Sequence, residues 1–354
     1  MDAGHAGTLS SSHHSRGFCT ASRPVAAHPV QRPDLFAMLR RFLPLLILAG
    51  APLHAQTLAD ARTCEGAING SARDRAAIQK LAVGTTSVAH FAAGCLSVMS
   101  AAWDSAAMHF DAAATGNPRS SAAFLWVGNI TGQRARMGNV ETKVRLAPAI
   151  RDAYAKSIAL DGRNLDAREG LMQYLLEAPA PLGGDKDKAA EQAAAIAKLN
   201  VYRGLGANLT VASARNDKPA AERLLLGATT QFPDSTIGWA NLSAMQADAG
   251  RPADAFATIT RWQARGTHPM FALFSIGRTA AVTGQQLVRG EQALKQYLRG
   301  QRLPADPPLA NANYRLGQIH EKQNRKADAK AAYESALRTN PSFREASVAL
   351  DRVK

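Results

Sequence analysis

Nine histidines and three cysteines are the side chains of this 354-residue chain best suited to metal or nucleophilic chemistry, and their spacing decides what they do. His5, His13, His14 and Cys19 crowd the N-terminus, but no ligand spacing links them. The segment around them, residues 1–37, is rich in His, Ser, Gly and Pro and has no apolar period. His90, His109, His268 and His320 have no nearby Ser or Cys in the pattern of a nucleophilic triad. No carboxylate pair stands out from ordinary helix surface charge. Cys64 and Cys95 belong to no Cys-x-x-Cys motif, which removes support for thioredoxin-like exchange and for a structural zinc site. These patterns predict neither an enzyme nor a metal or cofactor centre.

Two clusters carry charge in an arrangement that suits an anion. Gly183-Gly184-Asp185-Lys186 admits two readings. Consecutive glycines ahead of a helix present backbone N–H groups, with Lys186 and Lys188 adding charge. Alternatively Pro179 and Pro181 end one helix, the glycines turn the chain, and Asp185 caps the next helix. The spacing is not that of a phosphate-binding Walker loop, and the capping reading is favoured. The second cluster is Arg134, Arg136, Lys143 and Arg145, which fall in an expected connector over residues 134–147 and form the candidate anion contact. Exposed charges of this kind are screened beyond about 10 Å in ordinary salt.

The N-terminal region sets the expected compartment. Arg40 and Arg41 precede an apolar run from Phe42 to Ala51, then Pro52 and the small Ala55, the layout of a secretory signal peptide over residues 38–55. The run is shorter than the roughly 20 residues a spanning helix needs, which favours a cleaved signal over an anchor. On this reading Met38 is the start, residues 1–37 are a disordered leader or a misplaced start, and cleavage falls near Ala55. The whole chain has 42 basic and 28 acidic residues; residues 1–55 hold five Arg and two Asp, leaving 37 against 26 and a net of about +11. That balance favours anionic partners. Export and the scatter of Arg and Lys argue against nucleic acid; lipid head groups, lipopolysaccharide or acidic proteins are then the available anions, which admits a peripheral contact with anionic membrane or lipopolysaccharide. In an oxidising compartment Cys64 and Cys95 are a disulfide candidate; two buried or free thiols are the alternative.

The elements that position these residues follow from an internal period. Residues 310–343 form one 34-residue unit with Leu316-Gly317, Ala329, Tyr333, Ala336 and Pro341 in register. Small residues let two antiparallel helices approach, Tyr333 fills the gap, and Pro341 ends the second helix. Residues 87–120 repeat the pattern with Gly94, Ala106, Phe110, Ala113 and Pro118. Further units are expected at about 121–164, 165–200, 201–235, 236–269 and 270–309, with an N-terminal helical cap over 56–86 and a capping helix over 344–354. No stretch alternates convincingly enough to be a strand. Asn129, Asn208 and Asn241 begin glycosylation sequons but lie inside expected helices.

These markers make the chain resemble tetratricopeptide repeat (TPR) proteins over about residues 87–354. The block from Ala159 to Lys186, with its Ala-Pro and Gly-Gly loop, resembles a group of exported bacterial TPR proteins of unassigned activity. The resemblance implies an all-α, right-handed solenoid of antiparallel helix pairs, about seven repeats plus terminal caps. It implies that Asn129, Gln133, Glu169, Gln173, Arg203, Phe274, Arg278, Tyr314, Gln318 and Lys322 line an inner peptide groove. His90 and His320 then occupy positions that commonly hold packing aromatics. Leu125 and Gly170 stand where chaperone-binding TPR domains carry a clamp Lys and Asn, so a cytosolic chaperone clamp is not expected. The function expected is an exported scaffold that binds a protein or peptide in the bacterial cell envelope. The alternative is a membrane-proximal assembly component that touches anionic lipid through the basic connector.

Overall fold

The structure, a computed structural model, describes residues 63–354. The leader, the signal peptide and residues 56–62 of the N-terminal cap lie outside the described residues. Those described are helical throughout, without a strand. They form two compact units, one ending at Ala207 and one running from Asn208 to Lys354.

In the first unit, helical residues 63–68 (α1) and α2 (Ala72–Leu81) precede three helix pairs: α3 (Ser87–Met99) with α4 (Trp103–Gly116), α5 (Ser121–Met137) with α6 (Val140–Leu160), and α7 (Leu165–Glu177) with α8 (Lys186–Leu199). α9 (Val201–Ala214) starts in this unit. In the second unit α10 (Lys218–Gln231) packs on α11 (Thr236–Asp248). There α11 pairs with α12 (Pro252–Arg265), α13 (Pro269–Thr283) with α14 (Leu287–Arg299), and α15 (Leu309–Lys322) with α16 (Lys326–Thr339). α17 (Arg344–Val353) closes on α16.

Local chemistry starts and stops these helices. Thr86, Ser120, Asn139, Asn164, Asp185, Asp217 and Ser235 each accept a first-turn N–H on a side-chain oxygen. Four of the turns within pairs use a left-handed residue: Gly250 (φ 71°), Gly284 (φ 74°) and Asn324 (φ 60°) supply it, and Ala101 (φ 55°) does so at a steric cost. Four of the pairs are then closed by a glycine facing a large residue. A Cβ at Gly94 would sit 2.8 Å from the Phe110 ring, at Gly128 2.8 Å from Tyr154, at Gly277 2.2 Å from Leu294, and at Gly317 2.4 Å from Tyr333.

The first unit's core joins Cys64 and Cys95 to Phe91, Phe110, Trp126 and Ile130, with Phe110 stacked on Trp126 at 5.2 Å. A disulfide links Cys64 of α1 to Cys95 of α3. The second unit centres on Trp239, Phe256, Trp262, Phe274, Leu294 and Tyr297. Each fully buried side chain of this size contributes about 2–3 kcal/mol.

One expected connector is absent. Where a loop over residues 134–147 was expected, α5 continues to Met137, α6 begins at Val140, and only Gly138 and Asn139 lie between them. Proline favours the first turn of a helix, so Pro148 reads as a helix start. Instead it lies inside α6, on the exposed side; the helix starts eight residues earlier at Val140, capped by Asn139, which accepts the Thr142 N–H at 2.9 Å. The connection between α7 and α8 is a true loop containing a short 3₁₀ turn, Ala180–Leu182.

Candidate functional site

In the second unit the first helices of successive pairs, α11, α13 and α15, lie side by side and present a row of polar side chains. Arg278 of α13 donates to both carboxylate oxygens of Asp248 on α11, at 2.7 and 3.0 Å, and to the Ala244 carbonyl at 3.4 Å. On α15 the Arg315 guanidinium lies 5.3 Å over the Tyr314 ring and donates to Gln318 Oε1 at 2.8 Å; Gln318 Nε2 donates to the Tyr314 hydroxyl at 3.1 Å. Burial, reinforced by nearby Arg278, pulls the Arg315 pKa below its ordinary value. Tyr314 is half-buried against Tyr333 and Phe343, with ring centroids 5.9 and 5.1 Å apart, and Lys322 is exposed one turn beyond Gln318.

Phe274 does not belong to this row. It is 8% exposed and packs 5.7 Å from the Tyr297 ring, inside the core. Its place in the repeat matches that of Tyr314, but helices on both sides cover it. Sequence reasoning missed Asp248 and Arg315; the signal was an Arg three residues before Gln318, on the same helix face.

In the first unit the expected groove residues Glu169 and Arg203 meet, while Asn129, Gln133 and Gln173 bond to residues outside the expected groove. Arg203 donates from Nε to Glu169 at 2.7 Å and from Nη2 to Asp166, so one guanidinium ties α9 to two carboxylates of α7. Hydrogen bonding to Glu169 raises the Arg203 pKa above its ordinary value. Asn129 accepts the Tyr154 hydroxyl at 2.9 Å, Gln133 accepts from Arg136, and Gln173 donates to Glu177.

The four basic residues of the expected anion contact sit on two helix ends. Arg134 and Arg145 line a cleft of about 530 Å³ with Trp103, Met137 and Leu146, and Arg134 is bridged to Asp104 at 3.0 Å. Arg136 is partly covered, and Lys143 and Arg145 are exposed.

The glycine loop has no N–H to offer an anion. Gly183 donates to the Ala180 carbonyl, Gly184 to Pro179 and Asp185 to Leu175, at 2.9, 3.1 and 2.8 Å. Asp185 accepts the N–H groups of Asp187 and Lys188 at 2.9 and 3.0 Å; the Lys188 bond chiefly holds its carboxyl below the usual range. A Cβ at Gly184 would lie 1.7 Å from the Ala178 carbonyl oxygen, so glycine is required there. The loop is a helix cap.

Among the histidines, His320 is 4% exposed, and burial lowers its pKa. His90 and His109 meet across α3 and α4 with their Nδ1 atoms 3.2 Å apart, a pairing sequence spacing did not reveal. Among the described residues no group of three or more His, Cys, Asp or Glu could hold a metal, and no helix is long and apolar enough to cross a membrane.

No family model matches the sequence, and no curated protein matches it. Solved structures do. A tetratricopeptide repeat protein from Parabacteroides merdae superposes with a TM-score of 0.51 at 14% identity, covering 76% of this chain and 99% of that one. Yeast Tom70 gives 0.48 at 14% identity over 84% of this chain and 58% of that one. YrrB, described as a TPR protein with an unusual peptide-binding site, gives 0.33 at 14% identity over 69% of this chain and 99% of that one. The first of these agrees with the paired antiparallel helices: this chain has the tetratricopeptide repeat fold.

Proposed function

We propose that this chain is an exported, non-enzymatic TPR scaffold that binds an extended peptide or a partner helix in the bacterial cell envelope. One observation carries the binding reading. Adjacent first helices of the second unit align Arg278, Tyr314, Gln318 and Lys322 into a strip with an aromatic beside hydrogen-bonding and charged groups. Such a strip offers an apolar anchor and polar groups that orient a main chain. The signal-peptide layout of residues 38–55 and the Cys64–Cys95 disulfide support export.

Linear peptides selected from a random display library against the full chain would be measured by fluorescence anisotropy. Gln318→Ala with Lys322→Glu should weaken the best binder at least tenfold while leaving thermal unfolding unchanged. Equal affinity in the double variant would remove the strip from the reading. N-terminal sequencing of protein recovered from the periplasm tests export, with a new terminus near residue 56 expected.

A further inference from the structure

The α5–α6 hairpin outgrows its neighbours. α5 has 17 residues and α6 has 21, against 13 and 14 in α3 and α4 and again in α7 and α8. The shared glycine–aromatic contact locates the excess. Gly94 lies five residues before the end of α3, whereas Gly128 lies nine before the end of α5. Phe110 lies seven residues into α4, and Tyr154 fourteen into α6. The extra four and seven residues therefore all fall at the turn, where α6 extends about 10 Å beyond the level reached by α4.

That end carries apolar side chains the fold does not use. Met137, Val140 and Val144 are 64%, 75% and 48% exposed. Val140 and Val144, four apart on α6, share one face. Lys143 and Arg145, both exposed, flank Val144 along α6, and Glu141 is the acidic residue of its first turn. Apolar residues at a projecting end, flanked by cations, combine the two attractions that act at a lipid interface. Apolar side chains enter the boundary between headgroups and acyl chains, while Lys and Arg meet lipid phosphates. Long cationic side chains reach those phosphates while their stems stay beside the apolar tip.

We propose that the α5–α6 tip is a peripheral membrane contact that inserts Met137, Val140 and Val144 at the surface of a bilayer containing anionic phospholipid, with Lys143 and Arg145 on the phosphates. This contact is independent of the peptide strip on α13 and α15, so either reading can fail without the other.

The test is sedimentation of the full chain with vesicles of phosphatidylcholine alone or with 30% phosphatidylglycerol (about one lipid in three). Binding at least tenfold tighter to the anionic vesicles, and lost at high salt, is expected. Lys143→Glu with Arg145→Glu should abolish it. Met137→Ser with Val140→Ser and Val144→Ser should weaken it at least tenfold, with thermal unfolding unchanged because all three residues are exposed. Equal binding to both vesicle types, or wild-type binding by the serine variant, overturns the proposal. So does a concentration-dependent dimer that the serine variant dissociates, since the apolar tip would then serve a second copy of the chain.

Discussion

Gly317 faces Tyr333 so closely that a methyl group on its Cα would lie 2.4 Å from the Tyr333 ring. The ring cannot retreat, because it is fully buried with Ala349 and Val353 and its hydroxyl donates to Glu321 at 2.6 Å. Gly317→Ala should therefore destabilise the second unit by about 1–3 kcal/mol through overpacking. Gly227→Ala, inside α10 with nothing within 4 Å of the new methyl, should stabilise it by about 0.5–1 kcal/mol. Urea denaturation of both variants measures the contrast; the same sign for both would count against the contact.

The turn between α3 and α4 places Ala101 at φ 55°, whereas the α11–α12 turn has Gly250 at φ 71°. An L side chain in this region costs about 1–2 kcal/mol. Ala101→Gly should recover about 1 kcal/mol, seen as a higher unfolding temperature.

Acid should loosen the packing around α14 and α15 first. Burial alone would raise the Glu291 pKa, but hydrogen bonds from Lys295 at 2.7 Å and Arg325 at 2.9 and 3.1 Å outweigh it and bring the value from 4.5 to about 2. A depressed carboxylate stabilises the fold fully above its unfolded value. That contribution, at most about 3 kcal/mol, is lost as pH falls from 4.5 towards 2. His320 acts in the same direction from a higher pH. Its lowered value means the unfolded state binds its proton first, so stability begins to fall below about pH 6.5. In chemical denaturation followed across this range, Glu291→Gln should flatten the lower part of the curve and leave the upper part.

Reduction should act at the N-terminal end. The Cys64–Cys95 bridge closes 31 residues, and removing such a loop constraint costs about 3–4 kcal/mol on the chain-entropy account. Cys64→Ser with Cys95→Ser, or dithiothreitol, should lower the unfolding temperature of the wild-type chain; dithiothreitol should have no further effect on the double variant.

How much of this was readable in the sequence depended on whether a residue's role is local. Gly317, Tyr333 and Ala336 announce a helix pair because close approach needs small residues at fixed spacing, and the fold followed from them. Pro148 misled, since local preference puts proline in a first turn while the packing of Leu146, Ala147 and Ile150 carries the helix through it. Phe274 and Tyr314 occupy equivalent positions, and only what packs on each helix from outside makes one core and the other half-exposed. The projecting tip was visible as charge but not as shape, because Met137, Val140 and Val144 read as ordinary apolar residues until both helices are laid out.

Tyr154 meets a second glycine as well. A Cβ at Gly170 of α7 would come within 2.5 Å of the ring that already contacts Gly128 of α5. One ring is thus a shared rivet through three helices of two successive pairs. Stacked repeats melt together or separately according to the strength of such nearest-neighbour links. With this link in place α5, α6 and α7 should exchange their backbone amides as a single cooperative block, and a lesion in one pair is transmitted to the next instead of being contained.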